Sequence, residues 1–135
     1  MPSVSQVLST EFRFFLVRVR LLNLSPIAYH LMYASTGPEW TSEQTTKAIT
    51  RYLAFQYLIH QYPHLCLIPT FEICQVWQSH LFDKQKYTED CQHLFGSCIF
   101  PSAEQEGDRP DHLRATILTQ VLFRKHFGRS LVTES

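Results

Sequence analysis

The side chains that could perform chemistry are concentrated in one stretch of this 135-residue chain, between Tyr62 and Gly96. A histidine there could act as a general base or bind a metal, a cysteine could act as a nucleophile, and an aspartate could orient either one. The residues that we single out are Cys74, Trp77, Gln78, His80, Tyr87, Asp90, Cys91 and His93. They recur at helical spacing, so the chemistry depends on which of them the fold brings together.

A cysteine paired with His80 is the sharpest hypothesis for catalysis. Either Cys74 or Cys91 would be the nucleophile, and Asp90 would be the carboxylate that orients the histidine. The chain contains no Walker loop, dinucleotide fingerprint, HExxH or GxSxG motif, and no clear glycine-rich oxyanion loop. His80, Cys74 and Asp90 are therefore the catalytic candidates, and the sequence leaves open whether the protein is an enzyme.

A metal site built from His80, Cys74 and Cys91 is the alternative use of these residues. Adding His93 gives a set whose spacing matches none of the compact zinc motifs. Cys91 and His93 lie two residues apart on a predicted helix, so they point to different faces. Buried structural cysteines explain Cys74 and Cys91 better, and His80 is more simply a ring packed on an apolar stripe. The sequence indicates no particular cofactor.

Composition predicts one globular domain over residues 1–135. Hydrophobic residues make up 44% and charged residues 18% of the chain. Basic and acidic residues number 12 each, so the total charge favours neither nucleic acid nor an anionic membrane as a partner. Four cysteines without a CxxC pair, and no recognisable export signal, predict reduced thiols in a cytoplasmic protein. No transmembrane segment is predicted. A membrane-surface contact near the N-terminus stays open, because Arg13, Arg18 and Arg20 bracket apolar residues there.

Helical periodicity dominates the first half of the chain. An amphipathic helix is predicted over Val4–Leu24, although residues 17–21 also alternate as a strand would. Ser25-Pro26 ends this helix and opens a short helical turn through Ile27–Met32. Thr41, with Gln44 three residues later, resembles a capping box, and it opens a helix that runs to about Gln61.

The second half of the chain continues the helical pattern. Thr70 and Asp83 are the predicted N-caps of two helices that meet at a sharp corner, and Gly96 ends the second one. A polar loop covers residues 101–111. A last helix starts at about Pro110, has helical spacing at Leu113, Ile117, Val121 and Phe123 or Arg124, and closes at Phe127-Gly128. A frayed tail is predicted over residues 129–135. The predicted fold class is all-α, a compact single-domain bundle of four to six helices.

The order of several short motifs resembles the glycine-rich domain-containing protein-like family, a domain of unknown function with bacterial and plant members. The similar region runs from Leu22 to Gly128 and leaves residues 1–21 as an N-terminal extension. The matching pieces are Pro26-Ile27, Tyr29-His30-Leu31-Met32, Gly37 and Trp40, Arg51-Tyr52-Leu53, Tyr62-Pro63, Ile68-Pro69-Thr70, Ile73, Val76-Trp77, His80-Leu81, Lys86-Tyr87, Asp90-Cys91, Leu94-Phe95-Gly96 and His126-Phe127-Gly128.

The resemblance implies a small helical domain and a divergent site. Members of the family carry an Asp, then Trp-His-x-His, then a His-His pair after the Phe-Gly. An Asp and a His four residues apart could ligate a metal or form a polar dyad. Here Cys74 stands where the family has Asp, Gln78 where it has the first His, and Phe100-Pro101 near the His-His pair. Only His80 is retained, so the resemblance implies that the site is degenerate or repurposed.

Together these patterns predict a helical binding or accessory protein of unassigned activity. Its pocket would lie between the Thr70–Leu81 and Asp83–Phe95 helices and take a small organic ligand or a protein partner's side chain. The predicted lining is Cys74, Trp77, Gln78, His80, Tyr87 and Cys91. The alternative is an enzyme with a rebuilt metal or Cys/His site around Cys74 and His80. A homo-oligomer formed through the N-terminal helix is a further possibility.

Overall fold

Six α-helices and no strand make up the described part of the chain, residues 10–101 and 109–128 of a computed structural model. The helices are α1 (Thr10–Arg20), α2 (Ser25–Tyr33), α3 (Ser42–Gln61), α4 (Phe71–Leu81), α5 (Lys84–Phe95) and α6 (Arg109–Phe127). The all-α bundle of four to six helices predicted from the sequence is confirmed. Residues 1–9, most of the predicted 101–111 loop and the predicted tail 129–135 lie outside the described residues.

Helix α3 is the centre of the bundle, and its start is the predicted capping box. The Thr41 hydroxyl accepts a hydrogen bond from the Gln44 backbone N–H at 3.2 Å, and the Gln44 side chain accepts from the Thr41 N–H at 3.1 Å. The helix packs against α2, α4 and α6. Arg51 also forms an ion pair with Glu72 at 3.2 Å, which joins α3 to α4. Side chains of α3 therefore meet residues from several other helices.

Helices α4 and α5 begin and end where the sequence predicts. The Thr70 hydroxyl accepts from the Ile73 N–H at 3.2 Å, and the Asp83 carboxylate accepts from the Lys86 N–H at 3.1 Å. Gly96 ends α5 in the left-handed conformation at φ 75°, which a residue with a side chain adopts only at a cost. The short corner between the two helices turns their buried faces toward each other.

Helix α1 belongs to the same core as the other helices. Phe15 is buried, and its ring stacks on that of Phe95 with centroids 5.4 Å apart. The Phe12 ring lies 5.0 Å from both Tyr57 and Phe127. Aromatic rings at such distances pack favourably beyond their simple burial. This helix therefore holds α3, α5 and the end of α6 together at one side of the bundle.

Helix α6 buries Phe123 of its predicted apolar spacing, but the other apolar residues of that spacing face outward. Leu113, Ile117 and Val121 are 61%, 54% and 55% exposed. The inward face instead contains Thr119, whose hydroxyl accepts from the Ile68 N–H at 2.8 Å and donates to the carbonyl of the preceding turn. The other buried residues of this face are Ala115, Leu122 and Phe123. None of the helices in the described residues combines the length and apolar character needed to cross a bilayer.

Candidate functional site

A chain of buried polar side chains links three helices at the predicted site. His80 on α4 contacts Tyr52 on α3 through Nδ1, with 2.7 Å between that nitrogen and the tyrosine oxygen. The other ring nitrogen, Nε2, lies 2.8 Å from Oδ2 of Asp90 on α5. Tyr52, His80 and Asp90 are 1%, 3% and 7% exposed. The fold therefore confirms His80 and Asp90 as neighbours and adds Tyr52 from a distant part of the sequence.

The directions of these hydrogen bonds follow from the partners. The Asp90 carboxylate can only accept, so His80 donates from Nε2–H, and Nδ1 accepts from the Tyr52 hydroxyl. The Tyr52 oxygen in turn accepts from the Gln56 amide N–H at 3.2 Å. Lys86 places its ammonium 3.0 Å from the same Asp90 oxygen and offsets the carboxylate charge. Both nitrogens of a neutral His80 are thereby occupied.

A second set of hydrogen bonds fixes Tyr87 beside this chain. The Trp77 indole N–H donates to the Tyr87 hydroxyl at 3.0 Å, and that hydroxyl donates to the carbonyl oxygen of Ile99. The Tyr87 ring lies perpendicular to the His80 ring, with centroids 4.9 Å apart. We call the whole cluster the polar network. Its members are Tyr52, Gln56, Trp77, His80, Tyr87 and Asp90, with Lys86 at its edge.

Burial keeps His80, Tyr52 and Tyr87 in their neutral forms. Desolvation lowers the pKa of His80, although hydrogen bonding and charge at Asp90 oppose that effect. Desolvation also raises the pKa of Tyr52 and the pKa of Tyr87 above their usual value. At neutral pH the histidine is therefore uncharged and both phenols keep their protons. The network is a closed set of hydrogen bonds between neutral donors and one paired carboxylate.

The two site cysteines stay as thiols in this arrangement. Burial raises the pKa of Cys74 and the pKa of Cys91, so neither forms the reactive thiolate at neutral pH. Cys74 lies six residues before His80 on α4, which directs the two side chains about 120° apart around the helix. Tyr52 and Asp90 already occupy both ring nitrogens of His80. No ring nitrogen is thus free to take a proton from either thiol.

The remaining predicted site residues do not lie together, and they differ in their exposure to solvent. Gln78 is exposed, Cys74 is half-buried, and Cys91 is buried. His93 is exposed on the opposite side of α5 from Cys91, as their spacing predicts, and its Nε2 donates to the Arg18 carbonyl at 3.2 Å. Within residues 10–101 and 109–128, no three His, Cys, Asp or Glu side chains are grouped so that they could hold a metal ion.

An open cleft of about 430 Å³ lies between α1, α3 and the C-terminal end of α5, and its lining shares no residue with the predicted pocket. One wall is the His60 ring, which stacks on Phe95 with centroids 3.7 Å apart. The His60 Nδ1 donates to the Gln56 carbonyl at 2.9 Å, while Nε2 is buried near the Ser97 backbone without a hydrogen bond of ordinary geometry. The lining residues are Glu11, Phe14, Phe15, Arg18, Tyr57, His60, Gln61, Leu94, Phe95 and Ser97.

Sequence reasoning missed Tyr52, Gln56 and His60 as site residues. All three lie on α3 at four-residue spacing, so they share one side of that helix. Tyr52 and Gln56 are buried, and the Gln56 side-chain oxygen has no hydrogen-bond partner among the described residues. The signal in the sequence was a polar side chain within an otherwise apolar helical stripe. Such a side chain is expected to be buried and therefore to need hydrogen-bond partners.

The folded protein is expected to lose stability as the pH falls below about 6.5, the ordinary pKa of histidine. Burial lowers the pKa of His60, His80 and His126. The unfolded chain therefore binds protons that the folded chain resists, and the stability present above that pH disappears as the pH falls toward the folded-state values. Urea unfolding at several pH values measures this slope.

A matched control for the pH experiment is His64→Gln, because His64 is exposed. That variant is expected to keep the slope, whereas His126→Gln is expected to reduce it, since a histidine with a lowered pKa is removed. An unfolding free energy that stays constant, or rises, on acidification would contradict the expectation.

Comparisons with known proteins provide no family to which the chain can be assigned. Neither the protein-family models, nor the curated proteins, nor the solved structures contain a match to it. The similarity to the glycine-rich domain-containing protein-like family therefore stays a prediction. Function has to be argued from the polar network and from the cleft.

Proposed function

We propose that this chain is a helical binding protein that takes a small organic ligand in the cleft between α1, α3 and α5. One observation carries the proposal: the residues capable of chemistry bond to one another inside the core, while an aromatic cleft stays open beside them. In this view the polar network ties α3, α4 and α5 together. The ligand contacts a different set of side chains.

The polar network supports a binding role better than a catalytic one. A general base has to reach a substrate proton, and His80 is only 3% exposed with both nitrogens engaged. A nucleophilic cysteine has to ionise, and burial raises the pKa of Cys74 and the pKa of Cys91. The network thus lacks both an accessible base and an activated nucleophile.

The cleft has a volume within the range of small-molecule sites, and aromatic rings contribute to its lining. Ligand pockets span roughly 300–1,000 Å³ and combine aromatic walls with a few polar groups. The present cleft measures about 430 Å³, and Phe14, Tyr57 and Phe95 contribute aromatic surface to it. Arg18 and His60 add a cation and an imidazole at its walls. Because the Glu11 carboxylate also lines the cleft, a planar ligand with polar groups that can meet both charges fits this lining best.

We further propose that the chain is a divergent, cytoplasmic member of the glycine-rich domain-containing protein-like family. The retained residue His80 would keep a structural role, while Cys74 and Gln78 replace polar site residues of the family. The half-buried position of Cys74 and the exposure of Gln78 support this view, because neither side chain takes part in the polar network. The pocket predicted between α4 and α5 is replaced in this proposal by the cleft.

The alternative function is an enzyme with a rebuilt metal or thiolate site around Cys74 and His80. Elemental analysis of protein purified without a chelating tag tests the metal form. Stoichiometric zinc, iron or copper that is lost on His80→Ala would favour the enzyme and contradict the binding proposal. A thiol titration that finds an acidic, fast-reacting Cys74 would favour nucleophilic catalysis instead.

A screen of small aromatic acids and amides by ligand-observed NMR tests the cleft directly. Wild-type protein is expected to bind several of them, and Ser97→Phe is expected to weaken binding about tenfold or more because the new ring occupies the cleft. Ser97 is exposed at the rim, so the folded core should tolerate the change.

Ser35→Phe is the matched control for this experiment. It makes the same substitution at an exposed serine outside the cleft lining, so binding is expected to stay at the wild-type level. Compounds that bind wild type and Ser97→Phe equally well would contradict the assignment of the cleft. Failure of every compound to bind would contradict the proposed function.

A further inference from the structure

We propose that the outward face of α1 docks on the surface of an anionic lipid bilayer. This face consists of Phe14, Val17 and Leu21, with Arg13 and Arg20 along one edge and Arg18 along the other. It is separate from the polar network, whereas Phe14 and Arg18 belong both to this face and to the lining of the cleft. It would place the protein at a membrane without requiring any helix to span it.

The apolar part of this face is uncovered by the rest of the described chain. Helix α1 turns Phe12, Phe15 and Val19 toward the core. Phe14 and Val17 on its other side are 59% and 54% exposed, and Leu21, directly after the helix, is 73% exposed. Residues spaced by three and four positions form one stripe along a helix, so these three side chains lie in line. The helix is therefore apolar on two sides, and only one side is used by the fold.

The charges around the stripe complement an anionic surface. Arg13, Arg18 and Arg20 together with the single acid Glu11 give α1 a net charge of three minus one, or +2, in a chain whose total is zero. Arginine side chains at the edges of an apolar stripe reach the headgroup region while the stripe enters the acyl boundary. Each basic residue near an anionic leaflet adds to the electrostatic attraction.

A bilayer fits this face better than a second copy of the chain. A symmetric contact through α1 would bring Arg13 and Arg20 close to the same arginines of the partner, and like charges oppose such a contact. Nucleic acid would match the arginines but would leave the stripe of Phe14, Val17 and Leu21 unused. Only a partner that is both anionic and apolar can contact the arginines and the apolar stripe at the same time.

Sedimentation with phospholipid vesicles tests the proposal with the full chain. Wild-type protein is expected to bind vesicles of phosphatidylcholine with phosphatidylserine at least about tenfold more strongly than phosphatidylcholine alone, and added salt is expected to weaken that binding. Val17→Ser with Leu21→Ser, and separately Arg13→Gln with Arg20→Gln, are each expected to weaken binding about tenfold or more. None of these four residues lines the cleft, so ligand binding there should persist.

Two control variants remove matched groups elsewhere. Phe71→Ser with Tyr33→Ser removes exposed aromatic side chains of α4 and α2, and Lys47→Gln with Lys84→Gln removes two exposed positive charges of α3 and α5. Both are expected to bind vesicles like the wild type, and circular dichroism checks that every variant is folded. Three results would overturn the proposal: no binding, equal binding to both vesicle types, or binding that the α1 variants leave unchanged. A dimer in light scattering that Val17→Ser with Leu21→Ser dissociates would assign the face to a second copy instead.

Discussion

Replacing His80 with leucine is expected to lower the free energy of unfolding by about 3 kcal/mol. The substitution removes the donor to Asp90 and the acceptor for the Tyr52 hydroxyl, and both partners stay buried. A carboxylate that loses a hydrogen bond inside the protein costs more than the bond itself contributed, because water cannot replace it there. Urea unfolding followed by circular dichroism measures the loss.

Two further variants separate the hydrogen bonds from the loss of the ring. Tyr52→Phe removes one hydroxyl and keeps the aromatic packing, so we expect it to cost about 1 kcal/mol. His64→Leu changes an exposed histidine and is expected to leave stability within about 0.5 kcal/mol of the wild type. If His80→Leu matched His64→Leu in stability, the hydrogen bonds of His80 would not tie the three helices together.

Local hydrogen-bond chemistry explains why the helix boundaries could be predicted. Thr41, Thr70 and Asp83 each accept a hydrogen bond from a backbone N–H three residues ahead. Such contacts depend only on neighbouring residues, so the residue type and the spacing are sufficient to identify them. Gly96 follows the same logic, because its positive φ is a property of one residue.

The site was only half predictable because its other half comes from a distant helix. His80 and Asp90 lie on two consecutive helices joined by a corner, so their spacing suggested that they could meet. Tyr52 is 28 residues before His80, and nothing in a single sequence reports a contact over that distance. The cleft could not be predicted for the same reason: it forms where α1 meets α3 and α5, which are far apart in the sequence.

Periodicity could not select the buried face of α6 because that helix has two apolar stripes. Leu113, Ile117 and Val121 form one of them, and residues around Leu122 form the other. Hydrophobicity alone favours neither. The hydrogen bond between Thr119 and the Ile68 backbone requires the second stripe to face inward, since a buried N–H needs an acceptor. A total charge of zero likewise says nothing about the local excess of arginine on α1, because the sum runs over the whole chain.

Replacing Trp77 with alanine is expected to cost about 4 kcal/mol of unfolding free energy, the largest effect that we predict. Trp77 is 2% exposed, and its ring packs against Phe55 and Tyr52 with centroids 5.9 and 6.5 Å away. Its indole N–H also donates to Tyr87. Alanine leaves a cavity at the junction of α3, α4 and α5, and the tightly packed core can close it only in part. Chemical denaturation monitored by circular dichroism measures the change.

Two further substitutions, Trp77→Phe and Trp40→Ala, separate the contributions of packing and of hydrogen bonding to the effect of Trp77→Ala. Trp77→Phe keeps an aromatic ring but removes the donor to Tyr87, so we expect a loss of about 2 kcal/mol, between those of Ala and the wild type. Trp40→Ala, at a half-buried tryptophan, is expected to cost less than Trp77→Ala because less of its surface is removed from water. Equal losses for Trp77→Ala and Trp40→Ala would contradict the assignment of Trp77 to the core.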